Sequence, residues 1–280
     1  FHPGERTSWQ RNIAYPRLGF DSFKCGEDMD VPQTEEHGYV SDDSDFEQII
    51  WEFEHKDEST PLFLFNVTIQ NHGSYTVEDY PAEVQVADEP GVYPKAEQYL
   101  TLANKTDEAF KKLIDYFSSQ TEPTILVMFG DHQPSVEQEF LDKAYGVTQD
   151  EMTMAQYMDK FKVPFIIWAN YPLTGDSTKI TSLNFLAQYV LRNTGIETSV
   201  YGKYLWNLQK TIPAMTFAGY FDSEGNAYSH LDTTKFTPLI EDYERVQYNN
   251  LFGGDERQAE LFASPASTTS SDAANATSGN

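Results

Sequence analysis

Cysteine is all but missing: Cys25 is the single thiol in 280 residues. No intrachain disulfide can form, and neither a disulfide framework nor a thiolate metal cluster can be built. The redox compartment stays open. Positive charge is also scarce. Nineteen Lys and Arg stand against 44 Asp and Glu, a formal net charge of −25, which excludes a nucleic-acid partner because neutralising phosphates takes clustered cations. An anionic membrane surface would repel the chain for the same reason. No run of about 18 apolar residues occurs, so no spanning helix is expected. The first residues show no basic segment leading into an apolar stretch, so no signal peptide is expected either, and any membrane anchor lies outside this sequence.

What is present is core material. Hydrophobic residues make up 39% and aromatics 14%, with 17 Tyr and 19 Phe, too much for a disordered chain. The sequence opens at Phe1-His2-Pro3-Gly4 without a methionine and is expected to be a fragment. Its end is a Ser/Thr/Ala/Asn tract without apolar periodicity, so residues 263–280 are expected to be a disordered tail. No internal repeat is visible.

Three continuous apolar runs predict buried strands: Leu62–Ile69, Thr124–Phe129 and Val163–Ala169. Ser44 with Glu47 predicts a capping box ahead of a stripe of Phe46, Ile49, Ile50 and Phe53. A long helix is predicted from about Pro94 to Ser118 and another from about Ser182 to Arg192. Beyond about Val200, turn signals predict a hairpin over Met215–Tyr220 and Ala227–His230, then a helix near Thr237–Tyr248. Alternating strands and helices imply an α/β fold with a mixed, mostly parallel central sheet flanked by helices and a small C-terminal α+β extension. The expected division is 1–198, then an extension over 199–262, then the tail.

Ligands in such sheets sit at the C-terminal ends of strands. Two predicted strands end in polar loops: Gln70-Asn71-His72-Gly73-Ser74-Tyr75 and Gly130-Asp131-His132-Gln133-Pro134. Adjacent Asp131 and His132 can offer a carboxylate oxygen and an imidazole nitrogen to one divalent ion. Alternatively, Asp131 caps a helix beginning near Pro134 and His132 is an ordinary loop histidine. His72 alone is equally compatible with a structural or solvent-facing role. Near the start, His2, Arg6, Trp9 and Arg11 cluster in an otherwise acidic chain, and a guanidinium fork suits a phosphate or sulfate.

Taken jointly, these segments resemble the lipoteichoic acid synthase family, phosphoglycerol transferases of the sulfatase branch of the alkaline phosphatase superfamily. The resemblance rests on Phe1-His2 with Thr7, Trp9 and Arg11, on Leu18-Gly19-Phe20-Asp21 with Phe23, on Gln70-Asn71-His72-Gly73 with Tyr75, on Met128-Phe129-Gly130-Asp131-His132-Gln133-Pro134 and on Val163-Pro164-Phe165. It runs from about residue 1 to residue 195.

The resemblance implies an alkaline phosphatase/sulfatase-like fold, incomplete here. It also implies Mn²⁺, Mg²⁺ or another divalent ion, with Asp131 and His132 as two of its ligands, and His2, Trp9, Arg11 and His72 around a phosphoglycerol group. A phosphatidylglycerol-type lipid would be the donor and a glycerol-phosphate polymer or glycolipid the acceptor, at the extracellular face of a bacterial membrane. The family's threonine nucleophile and a further acidic ligand lie upstream of the segment matched by residues 1–11. The chain by itself is therefore expected to bind metal weakly and to turn nothing over. Two other readings are a sulfuric or phosphoric ester hydrolase of the same superfamily and a non-catalytic module that grips an anionic polymer.

Overall fold

The computed structural model describes residues 1–173 and 180–265. After a short helix, α1 (Arg11–Arg17), a two-residue ladder pairs β1 (Glu35–Glu36) with β2 (Tyr39–Val40). Its turn is closed by His37 and Gly38, both at positive φ. Helix α2 (Asp42–His55) follows. Its cap is Ser41, whose hydroxyl accepts from the Ser44 amide at 3.2 Å. The predicted capping box at Ser44 is thus displaced by three residues: Asp42, Asp43 and Asp45 already lie in the first turn, where the partly exposed Asp43 carboxylate complements the helix dipole.

Helix α3 runs from Pro94 to Ser118, as the spacing predicts, with Pro94 in its first turn. Its apolar face buries Leu102, Ala109, Phe110, Leu113 and Phe117. Phe46 of α2 meets Phe110 edge-on, and Phe53 meets Phe117 likewise, so α2 and α3 are held by aromatic contacts between facing stripes.

Strand β3 (Ile125–Phe129) leads through the Gly130–Val136 loop into α4 (Gln138–Tyr145) and then α5 (Met154–Asp159). Strand β4 (Phe165–Ala169) neighbours β3 in a two-stranded sheet. Helices α6 (Leu183–Asn193) and α7 (Val200–Gln209) precede an antiparallel sheet of β5 (Ala214–Met215), β6 (Gly219–Phe221) and β7 (Ala227–Ser229). The β6–β7 turn places Gly225 at positive φ, and the Asp222 carboxylate accepts from the Glu224 and Asn226 amides. Helices α8 (Thr237–Phe252) and α9 (Ala259–Phe262) complete the order.

The α/β class stands, but one expectation changes. The Leu62–Ile69 run lies outside every described strand. Phe63 is 79% exposed, and the Phe1 ammonium donates to the Phe65 carbonyl while the Val67 amide donates to the Phe1 carbonyl. Continuous apolarity reports a demand for burial, whereas a strand also needs a neighbouring ladder, and Phe1 supplies only one residue of it. Among the described residues the chain forms two compact units, residues 1–126 with 130–151, and 127–129 with 152–173 and 180–265. Phe185 of α6 shares one core with Leu205, Leu208, Tyr220 and Ile240, which joins the residues before and after 198. The expected tail falls, from residue 266 on, outside the described residues.

Candidate functional site

The loop carrying His72 is tied to α3 by the two residues before it. The Gln70 side-chain amide donates to the Leu102 carbonyl and the Thr106 hydroxyl, both at 3.1 Å. Asn71 donates to the same hydroxyl at 2.8 Å, and the Tyr75 hydroxyl donates to the Asn71 carbonyl at 2.8 Å. The Thr106 hydroxyl in turn donates to Asp42 at 2.6 Å. His72 therefore stands at the exposed end of a buried polar network anchored in α2 and α3.

Asp131 and His132 follow β3 after Gly130 and are both exposed. The Asp131 carboxylate accepts from the His132 amide at 2.9 Å, and its other oxygen lies 3.5 Å from His132 Nε2. A carboxylate oxygen and an imidazole nitrogen at that separation can address one ion. Helix α4 begins at Gln138, with Glu137 at its cap position, so Asp131 caps no helix there. Asp131 also acts on the His72 loop. Burial first, then the charges of Tyr99 and Asp131, push the Tyr75 hydroxyl up to about 12.

His2 is buried, 3% exposed, with Nδ1 donating to the Val67 carbonyl at 2.7 Å. Burial, the largest cause, holds its pKa below the usual histidine value, and the charge of Arg11 lowers it further. His72 Nδ1 donates to the Gly73 carbonyl at 2.7 Å and His132 Nδ1 to the Gln133 carbonyl at 2.9 Å. Each predicted site histidine thus uses Nδ1 on a main-chain carbonyl, which leaves Nε2 as the ring nitrogen that can face a ligand.

Trp9 is 85% exposed and sits at φ 56°, in the left-handed region that costs a bulky residue energy. Arg11 meets the Ser8 carbonyl at 3.2 Å. Arg6 departs from the expected cluster. Both Asp28 oxygens lie 2.6 Å from its Nη2, so that guanidinium is already paired.

The sulfatase family profile matches residues 1–196. The chain belongs to the sulfatase family. Its likeness to lipoteichoic acid synthase-like proteins is met among its relatives: a lipoteichoic acid synthase-like protein, YvgJ of Bacillus subtilis, is 26% identical over 60% of this chain and 27% of that protein. A Rhizobium meliloti protein named for cyclic beta-1,2-glucan modification is 26% identical over 95% of this chain and 42% of its own length. Among solved structures, the Streptococcus pyogenes phosphoglycerol transferase GacH in complex with sn-glycerol-1-phosphate superposes with a TM-score of 0.70 at 17% identity. That match covers 94% of this chain and 64% of that one. The sulfatase chain thus spans less than half the length of these two curated relatives.

Whether the sulfatase chain's residues suit a divalent ion can be judged from the donors. Carboxylate with imidazole is an appropriate set for Mn²⁺ or Zn²⁺. Asp131 and His132 supply two donors, and among the described residues no group of three or more His, Cys, Asp or Glu is placed to hold a metal ion. The pair fits as part of a coordination sphere. Sequence reasoning missed Thr106 and Glu137, whose partners are set by tertiary packing and which have no local pattern to betray them. Among the described residues, no helix is long and apolar enough to cross a membrane.

Proposed function

We propose that this sulfatase chain is part of a metal-dependent phosphoglycerol transferase acting at the extracellular face of a bacterial membrane. The observation that carries the reading is the Asp131–His132 pair, exposed and 3.5 Å apart at the end of β3. The likeness to GacH, whose complex contains sn-glycerol-1-phosphate, supports a glycerol-phosphate substrate.

In this reading Asp131 and His132 give two of the ligands for Mn²⁺ or Mg²⁺. When bound, the ion supplies Lewis acidity, lowering the pKa of an attacking hydroxyl and offsetting phosphate charge. The remaining work falls to side chains. Arg11 binds non-bridging phosphate oxygens, Trp9 covers the glycerol, and His72 Nε2 accepts or returns a proton at the ester oxygen. His2, neutral and buried, fixes the Phe1–Gly4 segment through Val67. A hydroxyl nucleophile outside this sequence attacks phosphorus as the bond to the donor's diacylglycerol oxygen breaks, and that oxygen leaves with a proton. An acceptor hydroxyl on a glycerol-phosphate polymer or glycolipid then attacks the phosphoglycerol-enzyme and releases the nucleophile. The chain by itself binds metal weakly and turns nothing over.

Mn²⁺ calorimetry on the full-length protein and on this chain, each with and without Asp131→Ala, tests the reading. Tight binding by the full-length protein that Asp131→Ala abolishes is the expected outcome. Binding that Asp131→Ala leaves unchanged would overturn it.

A further inference from the structure

Glu137 occupies the cap position of α4, yet its side chain makes no capping hydrogen bond there. Its carboxylate serves another helix. One oxygen accepts from the Lys95 amide at 2.8 Å and the other from the Ala96 amide at 3.0 Å. These are free donors in the first turn of α3, where Tyr93 gives no side-chain cap and Pro94 has no amide hydrogen. A two-oxygen acceptor across two successive amides fixes both the position and the orientation of the carboxylate, and the positive end of a 25-residue helix strengthens the bond.

The clamp bears on the site because of what lies on each side of it. Upstream, the loop from Gly130 to Val136 contains Asp131 and His132 and has no regular structure. Its fixed ends are the last residue of β3 and Glu137. Downstream, α4 has other anchors: Phe140 packs against Tyr93 and Lys143 pairs with Glu89 at 2.7 Å. Helix α3 is also the element to which Gln70 and Asn71 tie the His72 loop through Thr106. The same helix therefore registers both loops, one near its N-terminus through Glu137 and one near its middle through Thr106.

We propose that Glu137 is a positioning residue. By capping α3 it sets where the Asp131–His132 loop stands, and thereby the affinity of that pair for a divalent ion. This rests on the reading of Asp131 and His132 as metal donors.

The test is Mn²⁺ calorimetry on the full-length protein carrying Glu137→Ala, Glu137→Gln or Asp131→Ala, with Ser41→Ala as a control. Ser41→Ala removes the α2 cap, far from either loop in sequence, and reports what loss of a helix cap does by itself. Melting temperatures are recorded for all four. Glu137→Ala is expected to weaken Mn²⁺ binding on the order of tenfold, as loss of a supporting partner does at metal sites. Glu137→Gln, which keeps one acceptor oxygen, retains part of the affinity. Ser41→Ala lowers the melting temperature and leaves Mn²⁺ affinity unchanged. Should Glu137→Ala bind Mn²⁺ as tightly as the parent, or lose no more than Ser41→Ala, the positioning role is refuted while Asp131→Ala still reports on the site. Should Asp131→Ala itself have no effect, the metal reading fails and this proposal fails with it.

Discussion

The side-chain amide of Asn71 donates to the Thr106 hydroxyl at 2.8 Å, and that hydroxyl donates to Asp42 at 2.6 Å. One threonine in the middle of α3 thus joins the residue before His72 to the first turn of α2. Thr106→Ala leaves the Asn71 amide without this acceptor and removes one hydroxyl donor from the buried Asp42 carboxylate, a loss of about 1–3 kcal/mol. Thr106→Ser keeps both bonds and is expected to recover most of it. Urea denaturation of the three proteins checks this, and equal stability of the alanine and serine variants would remove Thr106 from the network.

Asp45 is a fully buried acid whose titration bears on stability. Burial pushes its pKa from 3.8 to about 8, the Asn66 amide opposes the shift, and the charge of Asp42 adds to it. One Asp45 oxygen, one Asp42 oxygen and the Asn66 carbonyl oxygen are buried without a hydrogen-bond partner. Between 3.8 and about 8 the folded chain keeps a proton that the unfolded chain releases. Its contribution is therefore full below the unfolded value and is lost as pH rises through the folded one. Asp45→Asn should flatten the fall in stability between pH about 5 and pH about 9, measured by denaturation at both ends. A variant with the parent's slope would show that Asp45 is ionised throughout.

Much of this architecture was legible in the sequence, for local reasons. Pro94 and the three- and four-residue spacing from Tyr99 to Phe117 state α3, and Ser223-Glu224-Gly225-Asn226 states the β6–β7 turn, because each signal is complete within its own segment. The Asp131 and His132 loop was visible because it follows a strand. Leu62–Ile69 misled because hydrophobicity is a property of the segment while a ladder belongs to its neighbours. Arg6 misled similarly: its partner, Asp28, comes close only when the chain turns at Cys25, where the Asp28 carboxylate also accepts from the Cys25 amide. Glu137 and Thr106 could not be found at all, since their partners are set by tertiary packing.

Gly26 tests how the Phe1–Gly4 segment is held. The His2 amide donates to the Lys24 carbonyl and the Gly26 amide to the Gly4 carbonyl, both at 3.2 Å. A β-carbon at Gly26 would fall 2.2 Å from the Pro3 carbonyl oxygen, a main-chain atom that cannot rotate away. Gly26→Ala should cost about 1–3 kcal/mol by forcing the two segments apart. It should also free His2 from burial, so that its pKa, followed by NMR, rises toward the ordinary 6.5. An unchanged His2 titration would mean that the segment is held elsewhere.

Arg6 and Arg11 make the sharpest contrast for anion binding, since both lie within the opening cluster and differ in what already satisfies them. Arg6 is paired with Asp28, whereas Arg11 meets only the Ser8 carbonyl among the contacts described, and a carbonyl leaves its charge uncompensated. In the full-length protein, Arg11→Ala is expected to weaken binding of glycerol phosphate on the order of tenfold or more, because a charge-assisted bond to phosphate is lost. Arg6→Ala should leave that affinity within experimental error. Its Asp28 pair is partly exposed, so the stability change should be about 0–1 kcal/mol. Calorimetric titration of both variants decides the matter. Equal losses would assign the effect to general positive charge near Trp9, and a loss confined to Arg6→Ala would place the anion at the Asp28 end of the segment.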